Sequence, residues 1–473
     1  MKKFYVSTAI PYVNSKPHVG FALELVQADA IARYHRLLGE EVFFQTGTDD
    51  NAFKNVQSAK AAGVPTASFV EANAAAFREL AVALDISFDR FVRTAAAPHR
   101  EAVHKFWDAL SPGDLRLERY QGLYCVGCED FLLEGNLSGG LCPEHRVRPE
   151  PVAEENFFFR LSAYQGRLRQ LVADGAVEIV PATRRREVLG FIDQGLRDIS
   201  VSRAAGRAGD WGIDVPGHPA QVVYVWIDAL VNYLSGGGPW EEAAERVHVI
   251  GKNVLKFHAV YWPALLLSVG LPPPSKIVAH GFLTVGGEKI SKSGGNAVDP
   301  LPLVKSHGAD ALRYYLLRRF SPFDDGDFSL EDFASAYHSD LASGIGNLVS
   351  RLLKLCELAR FAEFIPPPGT PPAPDGYHQA SRNHEHNLAL RALWRGVAEL
   401  NVAINAAKPW EAVKAGDAAG LKPRLAEWLE ALHALAHWLS PFLPGAARKI
   451  QEALAARPLR ADGQLFPKHL ALV

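Results

Sequence analysis

The chain has 473 residues, of which 48% are hydrophobic and 22% are charged, and its formal net charge is −2. This length exceeds one ordinary hydrophobic core and predicts two to four domains of a globular protein. The charge argues against a protein that simply coats nucleic acid, but leaves room for a local basic surface. The apolar run after Lys3 is too short for a signal peptide, and no apolar run reaches the roughly 18 residues that span a bilayer. We therefore expect a cytoplasmic protein.

The first hundred residues alternate strand-like and helix-like patterns. An apolar strand over Phe4–Ile10, an amphipathic helix from about Phe21 to Leu38 and a strand over Glu41–Thr46 predict a βαβ unit. Such a unit implies a parallel sheet with its ligand site at the carboxyl ends of the strands, where His18 and Asp49 fall.

A second block of alternating strand and helix patterns runs from about residue 222 to 317. The parallel-sheet fold is therefore interrupted by an insertion between the two blocks. The strands of the second block are expected at Val222–Trp226, Arg246–Ile250 and Ile277–His280. Beyond about residue 326, apolar residues recur at helical spacing. The helices are expected at Leu341–Ala359, His384–Ala407 and Pro423–Leu439.

The predicted class is α/β, a Rossmann-type parallel-sheet domain split by an insertion and followed by an all-α helical bundle. Four segments are expected: residues 1–111 for the first half of the Rossmann domain, 112–215 for the insertion with a zinc knuckle, 216–325 for the second half with a lysine loop, and 326–473 for the helical domain.

The insertion contains a cluster of candidate metal ligands. Cys125 and Cys128 form one Cys-x2-Cys pair, and Cys142 and His145 form a Cys-x2-His pair 13 residues further on. Three thiols and an imidazole are a tetrahedral zinc set with no open position. We therefore predict structural Zn²⁺ and give the metal no part in catalysis.

Two short motifs far apart in the chain point to nucleotide chemistry. Pro17-His18-Val19-Gly20 follows the first strand, and Lys289-Ile290-Ser291-Lys292-Ser293 occupies a glycine-flanked loop. A glycine lets a helix N-terminus approach phosphate oxygens, and lysines on a loop can stabilise departing pyrophosphate. In this order, the motifs resemble the nucleotide-site motifs of class I aminoacyl-tRNA synthetases.

Further blocks extend the resemblance over nearly the whole chain, which is similar to the methionyl-tRNA synthetase family. The blocks, in order, are Ala9-Ile10-Pro11-Tyr12, Thr46-Gly47-Thr48-Asp49, Gly122-Leu123-Tyr124-Cys125, Ser200-Val201-Ser202-Arg203, Trp211-Gly212-Ile213, Tyr224 to Leu230, Ile250-Gly251-Lys252, His258 and Trp262. The resemblance implies a ligase of protein biosynthesis that uses ATP and Mg²⁺ to activate methionine as its adenylate and transfers it to tRNA.

The resemblance also implies roles for individual residues. Asp49 is expected to bind the ammonium group of the amino acid, and a further set is expected to form the side-chain pocket: Ile10, Tyr12, Trp226, Ala229, Leu230, Tyr233, His258 and Trp262. The expected ATP-binding residues are His18, Gly20, Gly251, Asn253, Lys289 and Lys292, of which His18, Lys289 and Lys292 are the catalytic candidates. Asn347, Arg351 and Trp410 match residues that read the anticodon.

Three departures from the family pattern lie around one nucleotide site. Phe21 replaces a second histidine after Gly20, Asn253 replaces an aspartate, and Asp50-Asn51-Ala52 replaces Glu-His-Gly. The departures keep two alternatives open. One is a tRNA-independent ligase that passes the acyl group to a small-molecule N-hydroxylamine, with a cupin-type partner protein. The other is a non-catalytic tRNA-binding regulatory protein.

Overall fold

A computed structural model gives the fold. It describes residues 2–125, 130–132, 134–143, 146–209, 211–290, 296–361, 363–417, 419–460 and 463–468. The chain divides into two compact units. The first unit comprises Met1–Pro17, Gly39–Glu79 and Phe88–His280, and the second comprises His18–Leu38, Leu80–Ser87 and Gly281–Val473.

The strands of the first unit are numbered in chain order. They are β1 Lys3–Thr8, β2 Glu41–Thr48, β3 Arg90–Arg93, β4 Leu115–Cys125, β5 Asp130–Leu132, β6 Glu150–Phe159, β7 Glu178–Val180, β8 Ile199–Ser200, β9 Ser202–Ala204, β10 Asp214–Val215, β11 His218–Val223, β12 Glu245–Gly251 and β13 Lys276–His280. The strands of the second unit are β14 Leu283–Val285, β15 Glu288–Lys289 and β16 Gly326–Asp327.

The α-helices are numbered in the same way. They are α1 Val19–Leu37, α2 Phe53–Ala61, α3 Thr66–Ala83, α4 Ala97–Ala109, α5 Gln165–Ala173, α6 Ala182–Asp193, α7 Val225–Ser235, α8 Trp262–Ser268, α9 Pro300–His307, α10 Ala309–Arg318, α11 Leu330–Ala336, α12 Asn347–Leu358, α13 Tyr377–Arg382, α14 His386–Ala407, α15 Pro409–Lys414, α16 Lys422–Leu439 and α17 Pro444–Ala455. Two π-helical segments lie at Phe257–Tyr261 and Tyr337–Gly346. None of the helices in the described ranges is long and apolar enough to cross a membrane.

A six-stranded parallel sheet forms the centre of the first unit, in the order β3-β2-β1-β12-β13-β7. The order runs outward from β1 in one direction and from β12 in the other, so these two strands define the topological switch point. Residues Phe4 to Thr8 of β1 are all buried, as expected of an inner strand covered on both faces. The confirmed fold class therefore directs attention to the carboxyl ends of β1, β2 and β12.

Gly47 permits the close pairing of β2 with β3. A Cβ atom at Gly47 would lie 2.1 Å from the carbonyl oxygen of Val92, the residue opposite it in β3. Any larger residue would push the two strands apart, and the residues that follow β2 would move with it.

The insertion adds antiparallel structure between β3 and β12. One sheet has the order β5-β4-β6-β8 and another the order β10-β11-β9. The sequence did not predict β7, which lies inside the insertion yet completes the edge of the parallel sheet beside β13.

The predicted parallel strand at Val222–Trp226 is wrong. The chain is extended only to Val223, β11 pairs antiparallel with β9 and β10, and α7 begins at Val225. The run of β-branched and aromatic residues has strand propensity, but the backbone of Tyr224 caps the helix, and the residues after it follow helical periodicity.

The second unit is mainly helical. The three helices expected from periodicity are confirmed, with ends that differ by a few residues: Tyr337–Gly346 continuing into α12, then α14 and α16. Cys356 lies on the buried face of α12, where burial raises the pKa of its thiol to about 12.

A buried ion pair links α1 to α10 within the second unit. The Arg313 Nη1 atom lies 2.7 Å from Asp29 Oδ2, and both side chains are 0% exposed. The guanidinium also donates to three carbonyl oxygens at 2.7 to 3.2 Å, from Nη1 to Leu84, from Nη2 to Pro441 and from Nε to Phe442. Burial raises the pKa of Asp29, but Arg313 and Arg33 outweigh it, so that the net pKa is lowered. The Asp29 carboxylate therefore stays ionised at neutral pH.

Candidate active site

The predicted amino-acid-binding residues all lie in the first unit, at the switch-point edge of its sheet. Ile10 and Tyr12 follow β1, and Asp49 follows β2. Pairing continues past the strands, because Tyr12 forms an isolated bridge with Asp49 and the Asp49 N–H donates to the Pro11 carbonyl at 2.9 Å. The backbone therefore fixes the Asp49 position relative to Tyr12.

The Asp49 side chain is only 1% exposed. Its Oδ1 atom accepts a hydrogen bond from the Asn51 N–H at 3.0 Å and one from the Thr94 hydroxyl at 3.4 Å. A carboxylate can form a charge-assisted hydrogen bond with an ammonium group. The position of Asp49 beside the aromatic rings described below is therefore suited to the α-ammonium group of an amino acid.

One face of α7 collects four of the predicted pocket residues. Trp226, Ala229, Leu230 and Tyr233 stand at positions i, i+3, i+4 and i+7, which share one side of a helix. Ala229, Leu230 and Tyr233 are buried and Trp226 is partly buried. Because the chain is helical from Val225, and not a strand as predicted, these four side chains lie on the same side.

Aromatic rings connect this face with the residues on either side of it. The ring centroids of Tyr12 and Trp226 are 6.1 Å apart, and those of Tyr233 and Trp262 are 6.0 Å apart. Trp226 also stacks on Phe257 at 3.7 Å and 7°. Phe257 was not predicted from the sequence, although its position directly before His258 was a usable signal.

His258 lies in the π-helical segment Phe257–Tyr261 and is 2% exposed. Burial lowers the pKa of His258 to about 4, and the hydrogen bond to the Val254 carbonyl raises it by a smaller amount. Because a carbonyl only accepts, the Nδ1 atom at 2.9 Å from that oxygen must bear the proton. The Nε2 atom then accepts from the Tyr233 hydroxyl at 2.7 Å, so His258 is neutral and its tautomer is fixed.

We expect acid to destabilise the folded chain through His258. Its folded pKa of about 4 lies below the ordinary value of 6.5, so between these values the unfolded chain binds a proton that the folded chain does not. Stability is thus fully present above pH 6.5 and falls as pH drops towards 4. The thermal midpoint should fall less between pH 7 and pH 5 in His258→Gln than in the parent, whereas an equal fall in both would contradict the assignment. The exposed His218→Gln is the matched control.

A buried polar network behind the pocket was missed from the sequence. Asp228 Oδ2 accepts from the Asn51 side-chain amide at 2.8 Å, and its Oδ1 lies 2.7 Å from His99 Nε2. Asn51 therefore connects two carboxylates, since its backbone N–H donates to Asp49. Asp228 lies within the block from Tyr224 to Leu230 that supports the family resemblance, so the sequence did contain a signal for this residue. Nothing in the sequence around His99 indicated a role for that residue.

Asp228 and Asn51 also line a cavity of about 300 Å³, together with Arg203, Trp211 and Tyr224. The Arg203 guanidinium carbon lies 4.0 Å from the Tyr224 ring centroid, and its Nη1 atom donates to the Ser200 hydroxyl at 2.7 Å. This cavity lies in the first unit, and its buried charges set the polarity around the N-terminus of α7.

From His18 onward, the first nucleotide motif belongs to the second unit, at the N-terminus of α1. The His18 Nδ1 atom accepts from the Gly20 N–H at 3.0 Å and caps the helix. A Cβ atom at residue 20 would lie 2.8 Å from the His18 ring, so glycine is required for this geometry. Phe21, the departure from the family pattern, is 8% exposed.

The remaining predicted nucleotide-binding residues are divided between the units. Gly251 ends β12 in the first unit, and the exposed Asn253 lies in the turn that follows it. Lys289 ends β15 in the second unit, with its Nζ 5.4 Å from the Phe282 ring centroid. Lys292 lies outside the described residues.

The three predicted tRNA-binding residues lie in the second unit. Asn347 and Arg351 occupy α12, which packs against α15, where Trp410 is 40% exposed. The Arg351 guanidinium donates to the side-chain oxygens of Asn401 and Asn405, both at 2.7 Å. These two asparagines of α14 were not predicted, and they hold the guanidinium in place.

Two of the four predicted zinc ligands are described. The side chains of Cys125 and Cys142 are 0% and 1% exposed. The Arg146 N–H donates to the Cys142 carbonyl, and the Cys142 N–H donates to the Val147 carbonyl, both at 2.8 Å. Cys128 and His145 lie outside the described residues, and within the described ranges no group of three His, Cys, Asp or Glu side chains could hold a metal ion.

Comparisons with known proteins agree with this architecture. Residues 4–150 and 145–353 match the family described as tRNA synthetases class I (M). The chain is 40% identical over 488 residues to a methionine–tRNA ligase of Mycobacterium bovis, covering 97% of this chain and 93% of the relative. It is also 40% identical over 520 residues to one of Rhizobium meliloti, covering 99% and 98%.

A solved structure supports the same grouping. The Mycobacterium tuberculosis methionyl-tRNA synthetase in complex with methionyl-adenylate matches with a TM-score of 0.89 and 38% identity, covering 99% of this chain and 100% of that one. The split parallel sheet with a helical C-terminal region is thus that of a class I aminoacyl-tRNA synthetase, a ligase that forms an aminoacyl-adenylate. Within this class, the chain belongs to the methionyl-tRNA synthetase family.

Proposed function

We propose that the protein activates methionine with ATP as methionyl-adenylate and transfers the methionyl group to tRNA. The observation that best supports the proposal is the buried Asp49 carboxylate beside an aromatic pocket at the switch-point edge of the sheet. The relatives named methionine–tRNA ligase, which match nearly the whole chain, support the choice of substrate.

Amino-acid recognition follows from charge and polarizability. Asp49 binds the α-ammonium group, because a carboxylate in a desolvated site forms a strong charge-assisted hydrogen bond. A thioether suits aromatic walls, since its sulfur is polarizable and apolar. The walls are Ile10, Tyr12, Trp226, Ala229, Leu230, Tyr233, His258 and Trp262. A neutral His258 keeps this pocket free of a charge that would repel the bound ammonium group.

The first step is in-line attack of the methionine carboxylate on the α-phosphorus of ATP, which releases pyrophosphate. His18 donates to the phosphates, and Lys289 and Lys292 stabilise the charge that develops on the leaving group. Gly20 leaves room for the nucleotide, and Gly251 with Asn253 holds the ribose. Mg²⁺ that accompanies ATP would neutralise part of the phosphate charge. In the second step, a hydroxyl of the terminal adenosine of tRNA attacks the adenylate carbonyl, and AMP leaves.

The departures from the family pattern fit this chemistry with altered partners. A phenyl ring at residue 21 cannot donate to a phosphate, so His18 and the lysines must provide the donors there. Asn253 keeps an acceptor oxygen for a ribose hydroxyl but loses the charge-assisted bond. Asn51 has its own function in the first unit, because its amide binds Asp228.

Amino-acid-dependent exchange of labelled pyrophosphate into ATP tests the activation step. Methionine is expected to support exchange at least a hundredfold better than leucine or homoserine, because a pocket of buried rings favours the thioether over a branched or hydroxylated chain. Equal exchange with all three amino acids would contradict the proposed pocket.

We expect Trp410→Ala and Arg351→Ala each to lower kcat/KM for tRNA charging by about tenfold to a hundredfold, because one stacked base is worth about 1–3 kcal/mol. Pyrophosphate exchange should stay within twofold of the parent. Leu358→Ala, on the exposed end of α12, is the matched control. Normal charging by both variants would contradict a role for α12 and α15 in tRNA binding.

We further propose that Cys125, Cys128, Cys142 and His145 hold one structural Zn²⁺. The two buried thiols, Cys125 and Cys142, fit such a site, in which thiolates and an imidazole close a tetrahedron and so fix the fold of the insertion. Elemental analysis of the purified protein should find one zinc per chain, and Cys142→Ser should contain less than half of that. A metal-free parent protein that folds normally would contradict the site.

No observation favours the two alternatives. The relatives are named for tRNA ligation along nearly the whole chain, and none of them supports a cupin-type partner or an N-hydroxylamine acceptor. A non-catalytic regulatory role would not need a buried Asp49 and an assembled pocket. We propose that the protein acts in the cytoplasm, and that the four segments 1–111, 112–215, 216–325 and 326–473 act as the two catalytic halves, the insertion and the anticodon-binding domain.

A further inference from the structure

His99 lies in the first turn of α4 and is 1% exposed, and the proposed reaction gives it no role. Its two ring nitrogens both face α7. The Nε2 atom lies 2.7 Å from Asp228 Oδ1, and the Nδ1 atom lies 2.8 Å from the Ser235 hydroxyl oxygen. Asp228 and Ser235 stand at positions i and i+7, so they share one side of α7. The imidazole therefore fastens α4 to α7 at two points.

The hydrogen bonds continue from Asp228 to the turn that follows β2. Because a carboxylate only accepts, the Nε2 atom of His99 bears a proton and donates to Asp228. The other oxygen of Asp228 accepts from the Asn51 side-chain amide at 2.8 Å, and the same amide nitrogen donates to the Thr94 carbonyl at 3.1 Å. Both partners of this nitrogen only accept, so the orientation of the amide is fixed.

The backbone of Asn51 passes this constraint on to Asp49. The Asn51 N–H donates to Asp49 Oδ1 at 3.0 Å, whereas the Thr94 hydroxyl is 3.4 Å from the same oxygen. The bond from Asn51 has the better length, so it contributes more to the orientation of the carboxylate. That orientation matters, because a charge-assisted hydrogen bond is strongest when it is short and aligned.

We infer that His99 is a positioning residue for amino-acid binding. It donates to Asp228, which holds the Asn51 amide, and the Asn51 N–H orients the Asp49 carboxylate. The inference rests on the proposed function, in which Asp49 binds the α-ammonium group of methionine. Residue 51 is among the departures from the family pattern, so a link through a side-chain amide is a feature of this chain.

Two variants of His99 separate its two hydrogen bonds. A glutamine amide reaches the position of the imidazole Nε2 atom, whereas the shorter asparagine amide reaches only that of Nδ1. His99→Gln therefore keeps the donor to Asp228, and His99→Asn loses it. Methionine binding by the full-length protein, followed by tryptophan fluorescence, should be about tenfold weaker in His99→Asn and within about threefold of the parent in His99→Gln.

A second ligand makes the test specific for the ammonium group. The methionine analogue that lacks the α-amino group can enter the aromatic pocket but offers no cation to Asp49. Its affinity, measured in the same way, should agree within about twofold between the parent and both variants, because the ion pair that His99 supports is absent. A merely structural role for His99 would weaken the binding of both ligands alike.

A double variant and a matched control complete the design. Asn51→Ala breaks the link beyond Asp228, so adding His99→Asn to it should weaken methionine binding by no more than about a further twofold. His104→Asn is the control, because His104 lies on the same helix but its ring faces the Asp214 carbonyl at 3.0 Å. This variant should bind methionine as the parent does.

Three results in the variants would overturn the inference: unchanged methionine affinity in His99→Asn, an equal loss for the two ligands, or losses that add in the double variant. Each of them would leave the proposed ammonium site at Asp49 standing. A parent protein that binds methionine no more tightly than the analogue would overturn the role of His99 as well, and would in addition show that the proposed ammonium site is wrong.

Discussion

Asp49→Asn is expected to lower methionine-dependent pyrophosphate exchange by about two to three orders of magnitude. Asparagine has the same shape and can still accept from the Asn51 N–H, but it has no charge to balance the ammonium group of the substrate. Removing one partner of a desolvated ion pair costs about 2–5 kcal/mol, and each 1.4 kcal/mol is a factor of ten. The loss should appear mainly in kcat/KM for methionine.

The neighbouring carboxylate provides a matched control. Asp50 is fully buried, and its carboxylate accepts from Arg93 Nε at 2.9 Å and from the Thr48 hydroxyl at 2.9 Å, so these protein groups occupy it. Asp50→Asn should therefore lower the thermal midpoint while kcat/KM for methionine stays within about threefold. If Asp49→Asn retains the parent's kcat/KM, or if both variants lose it equally, the assignment of the ammonium site to Asp49 is wrong.

Arg313→Ala is expected to destabilise the second unit by about 3–5 kcal/mol. The substitution leaves the Asp29 carboxylate buried with less compensating charge, and it leaves three carbonyl oxygens without their donor. Breaking a buried pair costs more than the pair contributes, because the remaining charge has lost its hydration. Urea denaturation, with hydrogen exchange followed in peptides from α10, measures the loss and locates it.

A double-mutant cycle identifies the cause. Asp29→Ala/Arg313→Ala should be less destabilised than the sum of the two single variants, because no unpaired charge remains. Arg319→Ala removes the exposed ion pair with Asp332 and should lower the free energy of unfolding by less than about 1 kcal/mol. Additive losses in the cycle would mean that Arg313 stabilises the unit through packing and not through Asp29.

The sequence was sufficient for the class of fold, and it named several of the side chains that the structure brings together on one face of α7. Strand and helix periodicity located β1, β2, β12, β13 and the long C-terminal helices, since local pattern decides such elements. The periodicity gave the wrong element at Val222–Trp226, where a run of strand-forming residues continues into the start of α7. The spacing of Trp226, Ala229, Leu230 and Tyr233 was the better guide, because all four had to face one pocket.

Long-range pairing could not be predicted. The partner of Arg313 lies in α1, and the three carbonyl groups come from two distant loops, so no local pattern connects them. The same is true of His99, which meets Asp228 only after the chain has passed through the insertion. Such contacts depend on tertiary packing, which a motif does not encode. The zinc set stays a prediction, because two of its ligands lie outside the described residues.

The most direct test of the central claim is the transfer of labelled methionine to total tRNA by the purified protein with ATP and Mg²⁺, with AMP release measured with and without tRNA. We predict methionine on tRNA and AMP release that rises with added tRNA. AMP release that is indifferent to tRNA, with no labelled tRNA formed, would contradict the account and would point to a small-molecule acceptor.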